Sequence, residues 1–179
     1  MKCCNNYRTP AINSMMPPIK YNGVSQEFPK NPIYFAQVSI PETLVIPSQK
    51  PDIEQIVSVT LDTEIESLRI VDTPCVKSFE GQFLSGKKLV VELKLIEKII
   101  YVAEEPTQSV HASHFENTYK SVFIVVPKKI NNIAVEDLLQ QGKLIIKPYI
   151  EDIHAELIDS RTIFKNITML LDVAIACNC

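Results

Sequence analysis

Four of the five cysteines stand near the two ends of the chain: Cys3 and Cys4 are adjacent, and Cys177 and Cys179 form a Cys-Asn-Cys. Terminal segments are the least constrained parts of a domain. Thiols placed there are poorly positioned to staple one core and well positioned to reach another molecule. The chemistry at stake is disulfide formation. A bond between adjacent cysteines closes a strained ring, and on an extended backbone Cys3 and Cys4 point to opposite sides, toward two partners. Cys177 and Cys179, two apart on a strand, point the same way with Cα atoms ~6.6–6.8 Å apart, at the far limit for a mutual bond. The expectation is intermolecular disulfides from Cys3 and Cys4 to Cys177 and Cys179 of other copies. Arm-to-tail pairing within one subunit, a four-thiolate zinc site and free thiols are the alternatives. The zinc reading conflicts with the C-x₂₋₄-C spacing of common structural sites. Cys75, the odd thiol after Thr73-Pro74, is expected to be buried and inert.

The second group with chemical potential is His111, His114 and Glu116. Residues three apart on a strand face opposite sides, so the two rings are not expected to converge, and partners in the backbone near a turn are the expected fate. His154 is remote in sequence. No Gly-x-Ser-x-Gly, phosphate-binding glycine loop, His-Glu-x-x-His or Cys-x-x-Cys occurs. The expected reading is therefore no enzyme, no cofactor and no metal.

The elements that must position the thiols read as strands. Residues 1–32 carry five prolines and no sustained periodicity, an extended N-terminal arm. Residues 33–179 read as one β domain. Tyr34–Ile46 alternates loosely around Pro41, which favours an edge or a break. Val57, Val59, Leu61, Thr63 and Ile65 alternate with polar residues, and the parity changes near Glu66, which predicts a bulge. Leu89–Ala103 is long and alternating. Val122–Val126 is continuously apolar, the pattern of a central strand. Ala134–Gln141 predicts two helical turns ending at Gly142. Leu144–Ile158 and Ile163–Cys177 return to strand. Many strands with one short helix indicate an all-β fold, a β-sandwich or related barrel.

Composition fits this. A chain of 179 residues buries a core without disulfide support. Lys plus Arg total 18 against 21 Asp plus Glu, a net charge of −3. No basic stretch offers a footprint for nucleic acid, and a near-neutral surface is compatible with self-association. The first residues lack a secretory h-region and no run is long enough for a membrane helix, so cytosolic synthesis with later oxidation of the thiols is expected.

Three runs carry a family resemblance: Val38-Ser39-Ile40-Pro41-Glu42-Thr43-Leu44-Val45-Ile46-Pro47 into Gln49-Lys50-Pro51-Asp52-Ile53-Glu54-Gln55-Ile56; Tyr101-Val102-Ala103-Glu104-Glu105-Pro106-Thr107-Gln108-Ser109-Val110-His111-Ala112-Ser113-His114-Phe115; and Tyr149-Ile150-Glu151-Asp152-Ile153-His154-Ala155-Glu156-Leu157 followed by Arg161. Together they resemble the SPOCS domain, the spore-coat-associated domain of endospore-forming Firmicutes, chiefly Clostridia, over about residues 33–176. The resemblance implies a spore-surface location (coat, exosporium or appendage), synthesis in the mother-cell cytosol, and partners among spore-coat proteins. It carries over no catalytic residue. Combined with the terminal cysteines it gives the expectation of a self-assembling structural subunit of a spore-surface fibre or layer, whose partners are copies of itself. The alternative is a morphogenetic adaptor that binds other coat proteins or a glycan without polymerising.

Overall fold

A computed structural model describes residues 18–77, 79, 81 and 84–176. Cys3, Cys4, Cys177 and Cys179 lie outside the described residues. The architecture is all-β with one short helix. Two sheets form a sandwich rather than a closed barrel. Sheet A holds β1 (Lys20–Asn22), β3 (Ile53–Asp72), β4 (Lys87–Ala103) and β5 (Val110–Val126) in the order β1-β3-β4-β5. Sheet B holds β2 (Tyr34–Val45), β8 (Leu144–Leu157) and β9 (Thr162–Ile175) in the order β2-β9-β8. All pairings are antiparallel except β1 on β3. A small hairpin of β6 (Lys129–Ile130) and β7 (Ile133–Ala134) leads into α1 (Val135–Gln140). Its two-residue turn puts Asn131 and Asn132 at φ 51 and 65, the left-handed pair that a tight hairpin requires and that asparagine tolerates.

Alternation builds the core. Every second residue of β4 from Leu89 to Ala103 is buried, facing Ile163, Ile167, Met169, Leu171 and Val173 of β9. The parity change expected near Glu66 is a register shift between Ile65 and Ser67 against β4. Earlier shifts at Ile53/Gln55 and Ile56/Ser58 turn Val57 outward, 40 % exposed, so the inward series starts at Val59. Pro41 does not break β2. It pairs opposite Asn166 on a strand bonded on one side, where a missing N–H is tolerated. The helix is shorter than two full turns and is followed by Gly142 at φ 65.

Two expectations are corrected. Val122–Val126 belongs to an edge strand, not a central one. Val122, Ile124 and Val126 face the core, while Phe123 and Val125 are apolar on the open face. Cys75 is an exposed free thiol, because it sits in the irregular stretch after β3, where no described residue covers it.

Antiparallel connectivity gives the sandwich two distinct ends. Val45, Ile53, Ala103, Val110, Leu157 and Thr162 mark the lower end; Tyr34, Asp72, Lys87, Val126, Leu144 and Ile175 mark the upper. The 17 residues of β4 make it ~55 Å long. β1 runs parallel to β3 with Lys20 opposite Ser58, so the chain enters from the lower end and climbs. It then crosses the gap between the sheets. Tyr21 Oη accepts from Ala155 N at 3.1 Å, Ser25 N donates to Ile150 O at 2.8 Å, and Ile150 N donates to Ser25 Oγ at 3.0 Å. The chain's own segment thereby covers the open edges of both β3 and β8.

Gly23 makes this crossing possible. Its φ is 106, and a Cβ there would stand 2.1 Å from the Leu61 carbonyl oxygen. Gly23→Ala is expected to detach the segment, with a loss of more than ~1 kcal/mol. Hydrogen exchange should show protection lost at Asn22, Ser25 and Ile150 while β4 and β9 stay protected. Unchanged protection at Ile150 would disprove the role.

Candidate functional site

Opposite the segment-covered seam lies a second one, where the edges of β2 and β5 face each other. Its upper part is a groove of about 450 Å³ lined by residues 36–41 of β2 and 120–123 of β5. The floor is apolar, since Ile40 and Val122 belong to the core cluster and Ala36 and Val38 pack against it. The rim is mixed: Phe123, 55 % exposed, stands beside the polar Gln37, Ser39, Lys120 and Ser121. Lys88 Nζ lies 4.0 Å from the centre of the Phe123 ring, a contact that holds the ring in place from outside.

The groove ends at a charge bridge. Glu42 of β2 meets Lys120 of β5 at 3.1 Å and Lys165 of β9 at 2.7 Å. Lys165 also contacts Glu97 of β4 closely. Lys165 and Glu97 have no exposed side-chain surface. The four side chains link β2, β9, β4 and β5, and so tie sheet B to sheet A through the core. Each of Glu42, Glu97 and Lys165 occupies an inward-facing position of its strand, between Ile40 and Leu44, Leu95 and Ile99, Ile163 and Ile167. That parity was readable in the sequence, and a charged residue on a core stripe is the signal that sequence reasoning passed over.

Electrostatics divide the two carboxylates. Burial works to raise the Glu42 carboxyl, but hydrogen bonding and charge from Lys165, then Lys120, outweigh it and hold it below the ordinary range. Glu97 is pushed up to about 7, because burial exceeds the pull of Lys165 and the neighbouring Glu42 charge adds to it. Neither Glu97 oxygen has a well-aligned hydrogen-bond donor. The cluster therefore holds one carboxylate firmly ionised and one poised to take up a proton near neutrality.

A second polar knot closes the lower end. Arg161 pairs with Asp52 and donates from Nη2 to the carbonyls of Pro47 at 2.6 Å, Lys50 at 3.1 Å and Ile46 at 3.2 Å. Ser160 Oγ donates to Asp52 at 3.0 Å, Tyr101 Oη donates to Pro51 O at 3.1 Å, and Lys50 donates to Ala112 O. The three runs that carry the resemblance thus converge on one loop, 46–53. The guanidinium's planar set of donors satisfies carbonyls that the turn leaves without strand partners.

The histidines fall elsewhere. His111 stacks on Tyr101 with ring centres 5.9 Å apart and bonds Ser109 Oγ at 2.9 Å. His114 lies exposed on the other side of β5, and His154 stands 4.0 Å from Glu156. His111 and His114 are not brought together. Among the described residues no three His, Cys, Asp or Glu side chains gather as a metal-binding set. Strand β9, which leads to Cys177 and Cys179, is the centre of sheet B and is held at its top by Ala176 N donating to Lys143 O at 2.8 Å.

Comparison of the chain with protein-family models, with characterised proteins and with solved structures returns no match.

The charge cluster makes a pH prediction. Glu97 keeps its proton to about 7 in the folded state and releases it near 4.5 when unfolded. Between those values the folded state binds more protons, so this group's contribution falls as pH rises from 4.5 to 7. The decrease is at most about 3 kcal/mol. Glu42 acts oppositely, losing its contribution as pH falls below 4.5. Urea midpoints at pH 5 and 7.5 should show this slope in the wild type and its loss in Glu97→Gln. Lys165→Met leaves buried carboxylates without a counter-charge and should destabilise by about 3–5 kcal/mol at pH 7.5. A Glu97→Gln protein with the wild-type slope would show that another group sets it.

Proposed function

We propose that this protein is a self-assembling structural subunit of a spore-surface fibre or layer, resembling SPOCS-domain proteins, with copies joined by arm docking and by disulfides from Cys3 and Cys4 to Cys177 and Cys179 of neighbours. The observation that carries the reading is the polarity of the attachments. The chain leading from the N-terminal cysteines joins β1 from the lower end, whereas β9 carries the chain toward Cys177 and Cys179 off the upper end. Thiols tethered to opposite ends of an elongated rigid block meet when copies stack end to end. A contact of that kind, made between different surfaces of the two copies, propagates without closing.

The block suits such a load. Both thiol pairs hang from hydrogen-bonded structure: β1 on β3 on one side, the central strand of sheet B on the other. On the C-terminal side a pull is shared along the long antiparallel ladders of β9 with β2 and β8. On the N-terminal side it falls on the three-residue β1–β3 pairing and the Tyr21 and Ser25 bonds to β8. Disulfides then oppose dissociation independently of the noncovalent affinity. The spore-surface setting rests on the resemblance of the three runs around loop 46–53.

The adaptor reading shares the fold and differs in the fate of the thiols. Electrophoresis of protein from native material, boiled in detergent with and without reductant, separates the two. The expected result is a ladder or well-retained material that collapses to the 20.2 kDa chain on reduction, with fibres or sheets in electron micrographs of the same sample. Cys177→Ser with Cys179→Ser should abolish the ladder. A single monomer band in both lanes, without visible polymer, would favour the adaptor.

A further inference from the structure

We propose that residues 11–16 of one copy dock as an extended strand in the β2–β5 groove of a second copy. The proposal rests on the self-assembly reading and names the surface and segment that carry it.

The sandwich has two seams, and the filled one shows what fits. Across the β3–β8 seam the chain lays its own extended segment, with Tyr21 and Ser25 bonding across the gap. The β2–β5 seam has the same construction: two strand edges, an apolar floor and about 450 Å³ of space. Its edge strands present backbone groups that have no strand partner on that side among the described residues. Phe123 stands exposed at its rim.

The occupant is identified by sequence and direction. Ala11-Ile12-Asn13-Ser14-Met15-Met16 is uncharged, lies between Pro10 and Pro17, and contains no proline, so each residue can donate to an edge. Extended, it spans ~20 Å, the same six residues of rise as the 36–41 lining. On an extended strand Ile12 and Met16 share one face, and Met16 is flexible enough to fill an irregular groove. The chain enters β1 from the lower end, while the groove occupies the upper half, since its β2 residues 36–41 lie toward Tyr34 and its β5 residues 120–123 toward Val126. The segment thus arrives from the side away from its own groove. A copy stacked below presents its upper end, and with it its groove, on that side. Cys3 and Cys4 then extend beyond the groove toward a further copy.

The test uses full chains under reducing conditions, so that disulfides contribute nothing. The donor variant is Ile12→Lys with Met16→Lys; the acceptor variant is Phe123→Asp, at an exposed position whose change leaves the core intact. Each alone should need at least about a 30-fold higher concentration to associate than wild type, as expected for loss of a hot spot. Mixed, they should form a dimer and stop, because only one intact segment and one intact groove remain. Hydrogen exchange should show residues 36–41 and 120–123 protected in the mixture and not in either variant alone. Wild-type association by the acceptor variant, no dimer in the mixture, or groove protection independent of concentration (docking within one chain) would each overturn the proposal. A disulfide ladder that persists in both variants under oxidising conditions would refute the groove alone; loss of the ladder in wild type would refute the self-assembly reading itself.

Discussion

Two finite sheets laid face to face leave edges, and the fate of those edges organises this molecule. A strand at the margin of a sheet offers its outer backbone groups to whatever approaches. At the gap between β3 and β8 the chain resolves this internally, by sending an extended segment through Tyr21, Gly23 and Ser25 along both edges. At the gap between β2 and β5 it resolves only the lower part, through the Glu42–Lys120 contact, and leaves the upper part as a groove. The asymmetry between the seams arises from the order of strands, not from local propensity.

The buried charge cluster follows a different logic. Enclosing Lys165 and Glu97 carries a desolvation penalty that well-packed apolar residues would avoid. What the cluster supplies is position. Glu42 and Lys165 are direct cross-strand partners, and Lys165 reaches Glu97 on the other sheet. A slip of one residue in β2 or β9 would turn a charge outward and leave its partner buried alone. A slip of two residues would keep the apolar stripe inward, where isoleucine and valine substitute for one another, but it would still separate the charged partners. The ion cluster therefore defines how sheet B sits on sheet A, and with it the width of the groove above.

Alternation made most strands legible: the bulge near Glu66, the long strand over Leu89–Ala103, and β9 with its inward Ile163, Ile167 and Met169 follow from period two. Three things were not legible, each for a physical reason. Val122–Val126 is apolar on both faces, which in a lone sequence means burial on both sides; here the outer face is Phe123 and Val125 on an open edge. Cys75 was read as buried from its residue type, whereas its exposure follows from the irregular stretch around it. The Glu42–Lys165–Glu97 cluster was visible only as three charges out of step with their neighbours, and pairing them needs the sheet order. The groove between β2 and β5 was not legible either, because it is made by strands about 80 residues apart in sequence.

Polarity connects the fold to the proposed assembly. Each pairing fixes which way a strand runs, and together they fix which end of the block each terminal segment serves. Had β1 paired antiparallel to β3, the chain before Lys20 would approach from the upper end, where Ile175 lies. The parallel register of Lys20 with Ser58 instead brings the described chain in from the lower end, while β9 leaves at the upper end. One three-residue strand thus sets the end of the sandwich from which the described chain begins. A short parallel strand is a weak element by itself, and it is Tyr21 and Ser25, bonded to the far sheet, that make its direction secure.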